Sequence, residues 1–318
     1  NFSVKMSFKS LFKTITKTSA LTSLGISSFI SLAPEIKAEN FNMAACPEPG
    51  STNANLSYIA GTLQGQCLHT PDQYILTIYE MGLCTSDPIA AGNFNKSSCV
   101  ETMISTSGTQ VDLAPGSATS KTAALPEAPS RPGNNSYTHA YILLGNNFKM
   151  KGSYELSDGT TYFSKEEEDQ WGKYGAANKT ITSAQEHTDL VDNMYFGNDP
   201  NGWDGVMTAT AMPGGGSVSA LLLKDCSGET CTGANGLATS QGEVARLLGV
   251  FETNSGSPVV ITDATEGVEV ELVVKSDPSN PSASGGGYLI MGWDNNDGNG
   301  FDLRGFGSAP FKPKFTTF

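Results

Sequence analysis

Gln73 to Leu83 reads QYILTIYEMGL. In an extended chain Tyr74, Leu76 and Ile78 fall on one side and Ile75, Thr77 and Tyr79 on the other, and the run is rich in the β-branched and aromatic residues that fill pleated surfaces. A period of two over this length predicts a strand. Thr85-Ser86-Asp87-Pro88 ends it, since proline has no N–H to give to a central ladder.

The same grammar continues outward. An apolar run at Ala140–Leu144, a turn at Gly145-Asn146-Asn147 and an alternating segment from Phe148 to Leu156 predict a hairpin, and Asp158-Gly159 leads into Thr160–Phe163 as a further meander. Beyond Trp203, strand patterns recur at 205–212, 218–223, 245–252, 259–261, 268–275, 288–293 and 301–305. Pro213–Gly216, Ser255–Pro258 and Asp277–Pro281 punctuate them. No helix alternates regularly with these strands, which argues against a parallel α/β sheet. The expected fold is mainly β, an antiparallel β-sandwich or partly open barrel, either one domain or two β subdomains. Short surface helices are expected near 164–192, where Ser164-Lys165-Glu166-Glu167 has capping-box spacing and Glu186 completes the same spacing from Ser183.

The first 38 residues read as a removable leader. Met6 opens a run carrying Lys9, Lys13 and Lys17, the acid-free stretch from Ala20 to Ala33 follows, and Ile36-Lys37-Ala38 supplies a small-residue cleavage site. On this reading Asn1–Lys5 are upstream of the start. The apolar stretch is shorter than the ~20 residues a spanning helix needs, so membrane insertion is not expected once the leader is gone. The remaining chain divides into an arm and disulfide-rich β region at 39–106, a Pro/Gly/Ser-rich loop or linker at 107–137, and a main β domain at 138–318. Removal of the leader takes five of the 19 basic residues and one of the 32 acidic ones, leaving 14 and 31, a net charge of −17. Such a field repels phosphate backbones and excludes nucleic acid as a partner.

Export also follows from a resemblance. Tyr74 through Cys84-Thr85-Ser86-Asp87-Pro88 resembles segments of uncharacterised secreted proteins of marine bacteria, over about 15 residues, and the resemblance implies export without any activity.

All six cysteines lie beyond the leader, and an even count outside the cytosol reads as a bridge framework. Fifteen pairings exist; proximity favours Cys46 with Cys67, Cys84 with Cys99 and Cys226 with Cys231. Zinc is disfavoured, since no C-x-x-C pair occurs and His69, His139 and His187 are scattered. The expected compartment is secreted, periplasmic or cell-surface.

Two loops carry the only suggestive chemistry. In Trp293-Asp294-Asn295-Asn296-Asp297-Gly298-Asn299-Gly300-Phe301-Asp302, oxygen ligands at Asp294, Asn295, Asp297, Asn299 and Asp302 suit calcium, which takes six to eight such oxygens. The register departs from an EF-hand, with Phe306 where the bidentate Glu belongs, and a strand-connecting turn rich in residues that tolerate positive φ accounts for the same sequence. The second loop, 198–205, repeats the flavour. Trp203 or Trp293 is suited to stack on a sugar face while Asp204 or Asp294 binds its hydroxyls, although tryptophan in a core needs no such role.

No G-x-S-x-G elbow or phosphate loop is present, and none of the three histidines sits in a recognisable motif. The leading expectation is therefore a non-enzymatic structural or adhesive protein that self-associates or contacts a surface glycan or protein. A carbohydrate-binding or carbohydrate-active protein and a calcium-stabilised adhesin are the rivals. Strand donation from the polar arm before Cys46, or from the C-terminal FKPKFTTF, is the expected means of contact.

Overall fold

The computed structural model describes residues 2–7, 46, 64–90, 92–114, 121–123, 125–126, 131–156, 159–168, 175–194, 203–212, 215–225, 236–275, 287–295 and 300–318. The protein is mainly β, as its alternation demands, and among the described residues its strands form three main sheets and two small ribbons.

At the centre of the largest sheet is Gln73–Cys84 (β3). Cys99–Asp112 (β6) runs along one edge of it; His139–Gly145 (β9) and Asn147–Lys151 (β10) share the other. Beyond β9 lie Arg246–Glu252 (β17), Ser217–Leu223 (β16) and Val206–Ala211 (β15), while His187–Leu190 (β14) extends the sheet from β10. The second sheet, in order, is Ser153–Glu155 (β11), Thr161–Glu168 (β12), Gly175–Asn178 (β13), Gly300–Ser308 (β21), Tyr288–Asn295 (β20) and Gln64–His69 (β2). The third is Lys312–Thr317 (β22), Gly267–Val273 (β19), Phe2–Ser7 (β1) and Lys121–Ala123 (β7). Ile89–Ala90 (β4) pairs with Asn93–Phe94 (β5), and Asn135–Tyr137 (β8) with Val259–Ile261 (β18). Among the described residues every strand pairing but β1 with β7 is antiparallel.

The face assignment of β3 holds residue by residue. Tyr74, Leu76 and Ile78 are fully buried, and they join Leu303 and Phe306 of β21 and Val268, Val270 and Leu272 of β19 in one core shared by all three sheets. A smaller core covers the opposite face of the large sheet, where Tyr141, Leu221, Leu248 and Val250 pack with Phe94 of the β4–β5 ribbon. Strands from either side of the Pro-rich 107–137 segment thus lie in one sheet, β3 against β9.

Two of the expected disulfides are formed. Cys46 bonds Cys67 on β2, and Cys84 bonds Cys99 across the β3–β6 pair. Cys226 and Cys231 lie outside the described residues. Disulfides persist in oxidising compartments, which fits a site outside the cytoplasm. Among the described residues no helix is long and apolar enough to cross a membrane.

The helices expected near 164–192 are absent from the described part of that interval: Ser164–Glu168 belongs to β12, and 175–178 and 187–190 are strands. The capping-box spacing has no apolar stripe at helical period to act on. Tyr162 and Ser164 are buried while Thr161, Phe163 and Lys165 are half-buried, the period of a strand, and pairing on both edges of β12 overrides the local helix signal. Short 3₁₀ turns stand at Lys96–Ser98, Gln241–Glu243 and Thr253–Gly256.

The C-terminal segment is not a free strand for a neighbour. As β22 it pairs with β19 from Thr317↔Val268 to Lys312↔Val273, and Phe318 closes the end by hydrogen bonding with Gly267.

Candidate functional site

The first loop singled out by sequence lies at the start of β15. The indole Nε1 of half-buried Trp203 donates to the carbonyl of Asp192 at 3.2 Å, and its ring covers Gly205, where a Cβ would come within 2.6 Å. Asp204 is exposed and accepts from the N–H of Val206 at 2.8 Å, an Asx turn that launches the strand. Its own N–H donates to Asn193 Oδ1 at 3.0 Å. The second loop belongs to a different sheet: Trp293, Asp294 and Asn295 end β20, and Asp302 lies on the return strand β21 in register with Trp293. Asp297 and Asn299 lie outside the described residues, as do 195–202, so two of the five positions of the calcium reading are undescribed, and the other three, Asp294, Asn295 and Asp302, stand on the paired strands β20 and β21. Among the described residues no three His, Cys, Asp or Glu side chains converge as a metal site requires.

Two polar clusters carry no signal in the sequence. In the first, Lys96 Nζ sits 2.5 Å from Glu80 and 2.8 Å from Glu101, and the phenol of buried Tyr141 donates to Glu80. The 3₁₀ turn that carries Lys96 is capped by Asn95 and followed at once by the Cys84–Cys99 bridge, so the lysine is held over the strand pair. Burial works against the charge of Lys96, but the hydrogen bonds to the two carboxylates together raise its pKa, and the same bond lowers that of Glu101. Burial, then the Glu80 charge, keeps Tyr141 protonated. Each charge here faces an opposite one, which describes a clamp and not a reactive group.

The second cluster is a buried polar seam between the large sheet and β21. Asp189 of β14 accepts from the N–H of Ser308 at 2.5 Å, and Tyr74 Oη donates to the carbonyl of Ala309 at 3.0 Å. His187, two residues from Asp189 on the same face, is buried against Gly175, where a Cβ would fall 2.3 Å from its ring. Burial lowers the His187 pKa to about 4, only partly offset by a hydrogen bond with Phe306, so the imidazole is neutral. The tyrosine and aspartate act here as mortar between sheets, and the neutral imidazole packs beside them.

The feature with the clearest outward meaning is the third sheet. β1 is antiparallel to β19, with Phe2↔Leu272, Val4↔Val270 and Met6↔Val268, and parallel to β7 on its other edge. Val268, Val270 and Leu272 are buried in the shared core, while Lys5 and Ser3 stand in register with Glu269 and Glu271 on the alternate positions. The slot between β19 and β7 therefore takes an extended segment with apolar residues at every second position. The signal that could have found it is the matched alternation of Phe2-x-Val4-x-Met6 and Val268-x-Val270-x-Leu272. β1 lies within the first 38 residues, the span that reads as a leader.

By contrast the 14-residue outer strand β6, which pairs only with β3 among the described residues, is interrupted by register shifts opposite Ile78/Glu80 and Met81/Gly82 and by Gly108 at φ +77°. Bulges of this kind blunt an edge against further pairing.

Comparison with known proteins finds no matching family model, no matching curated protein and no matching solved structure.

Proposed function

We propose that this is an exported structural or adhesive protein, without catalytic activity, that works by exchanging strands at the edges of its sheets. The observation that supports this most directly is the seating of β1: a segment far from β19 in sequence completes the third sheet through backbone pairing in a regular six-residue register. Backbone hydrogen bonds of this sort supply affinity, and pockets for alternate side chains supply selectivity. The stapled framework, with bridges at Cys46–Cys67 and Cys84–Cys99, is what a protein needs to hold such edges rigid outside the cell. The test is expression of the whole chain in a secreting host, followed by N-terminal sequencing, mass measurement in solution and a surface-adhesion assay. Recovery in the medium as assemblies, or as protein that coats cells or matrix, is the expected result. A protein retained inside the cell, or one exported as an inert monomer, overturns the proposal.

A saccharide-binding role has one observation in its favour, the half-exposed indole of Trp203 beside exposed Asp204. It predicts glycan binding that is lost in Trp203→Ala, and a blank glycan array dismisses it.

A further inference from the structure

We infer that the slot between β19 and β7 receives, after leader removal, the new N-terminal segment of a second copy of this chain, residues 39–45. The inference rests on the proposed reading of an exported, strand-exchanging protein and names the partner of that same site. On the leader reading the processed chain starts at Glu39 and lacks Phe2–Ser7, whether untranslated or cleaved. β19 is then paired only with β22 among the described residues, and β7 loses the neighbour that joined it to the sheet. The backbone groups of β19 that faced β1, and the core-facing row Val268, Val270 and Leu272, are left open along one edge, a state that costs free energy until another strand covers it.

The sequence that begins the processed chain has the pattern the slot selects. Glu39-Asn40-Phe41-Asn42-Met43-Ala44-Ala45 places apolar residues at 41, 43 and 45, the same spacing as Phe2, Val4 and Met6. In β1's register Phe41 faces Leu272, Met43 faces Val270 and Ala45 faces Val268.

Polarity decides between the chain's own arm and a neighbour's. Cys46 is bonded to Cys67, and its N–H donates to the carbonyl of Leu68 at 2.7 Å. Leu68 is paired with Leu289, two residues from Gly287, and a Cβ on Gly287 would lie 2.2 Å from the Val274 carbonyl. Cys46 is therefore tied to the Val274 end of β19. A strand in β1's orientation finishes at the opposite end, where Ser7 pairs with Gly267. From Val274 to Gly267 is about 23 Å of strand at ~3.3 Å per residue, whereas Ala45 and Cys46 are separated by a single ~3.8 Å step. The chain's own segment runs the wrong way for the slot, and a second molecule's does not.

The experiment follows the processed, secreted protein through three forms: unchanged, F41D/M43D, and M43C/V270C. N-terminal sequencing first establishes the start at Glu39. The expected results are assemblies of at least twice the monomer mass for the unchanged protein, monomers for F41D/M43D, and oxidative linkage between molecules for M43C/V270C. A synthetic Asn1–Phe8 peptide added in excess is expected to release monomers by filling the slot. Assemblies that persist in F41D/M43D overturn the inference and leave the proposed function standing, since another edge then carries the contact. Linkage of M43C to V270C within one molecule overturns it in favour of self-insertion. Secreted protein that retains Phe2–Ser7 overturns both the inference and the leader reading on which it depends.

Discussion

The phenol of Tyr74 and the carbonyl of Ala309, 235 positions apart in sequence, meet in a buried 3.0 Å hydrogen bond. That bond fastens the central strand of the large sheet to the end of β21. Tyr74→Phe keeps the ring that packs on Phe148 but leaves the Ala309 carbonyl without this donor, at a cost of about 1–3 kcal/mol. Urea unfolding followed by tryptophan fluorescence is expected to show a lower midpoint with unchanged slope.

Acid should loosen the same junction. His187 is neutral and buried with a pKa of about 4, below the ordinary 6.5 it regains on unfolding. The unfolded chain therefore binds a proton that the folded chain refuses, so stability is complete above pH 6.5 and drains away as pH falls toward 4. The loss attributable to this imidazole is about 3 kcal/mol, because each tenfold weakening of proton affinity on folding corresponds to ~1.36 kcal/mol. His69, also lowered to about 4 by burial, acts in the same direction. Denaturant titrations between pH 7.5 and 4 are expected to show a shallower acid decline for His187→Gln than for the unchanged protein.

The Lys96 clamp makes a separate, spectroscopic prediction. In Lys96→Met the carboxylate of Glu101 loses the hydrogen bond that lowers its pKa, so its titration should move up toward 4.5. Stability should drop by about 2 kcal/mol, because the ion-pair and hydrogen-bond network joining Lys96, Glu80 and Tyr141 loses its central donor in a half-buried site. Carbon-detected NMR of the glutamate side chains reads the first effect and thermal unfolding the second. Lys96→Met combined with Glu80→Gln should recover part of the loss if the two act as a unit.

Removing the Cys84–Cys99 bridge with a pair of serines releases a loop with a sequence separation of 15, worth about 3 kcal/mol in the chain-entropy account. The Lys96 turn lies inside that loop, so the double variant should also weaken the Glu101 perturbation. The same NMR titration checks it.

Much of the scaffold was legible because alternation and turn chemistry are local. The strand at 73–83 and the Cys46–Cys67 and Cys84–Cys99 pairs follow from local spacing, and they appear as expected. The hairpin expected across Gly145–Asn147 is not formed: β9 and β10 follow one another along the same edge of β3, both antiparallel to it, and their other edges go to β17 and β14, so pairing with distant strands overrides the local turn signal. Ser164–Glu167 misled because its helix-capping spacing is a local preference of a few tenths to about 1 kcal/mol, easily outweighed by pairing on both edges of β12. The polar seam was invisible for the opposite reason. Tyr74, Asp189 and Ser308 come from separate strands, and nothing in any one segment announces that they meet. The slot beside β19 was half legible: the alternation at both ends of the chain is plain, but their register is a fact of the assembled sheets.

β3 is hydrogen-bonded along both edges, to β6 on one and to β9 and β10 on the other, and its apolar face lies at the centre of the shared core. Its amide protons from Leu76 to Leu83 should exchange with deuterium only when the entire molecule opens, whereas those near the rims escape through smaller fluctuations. A protease that nicks an outer ribbon would therefore leave this strand standing, and the molecule would age from its margins inward.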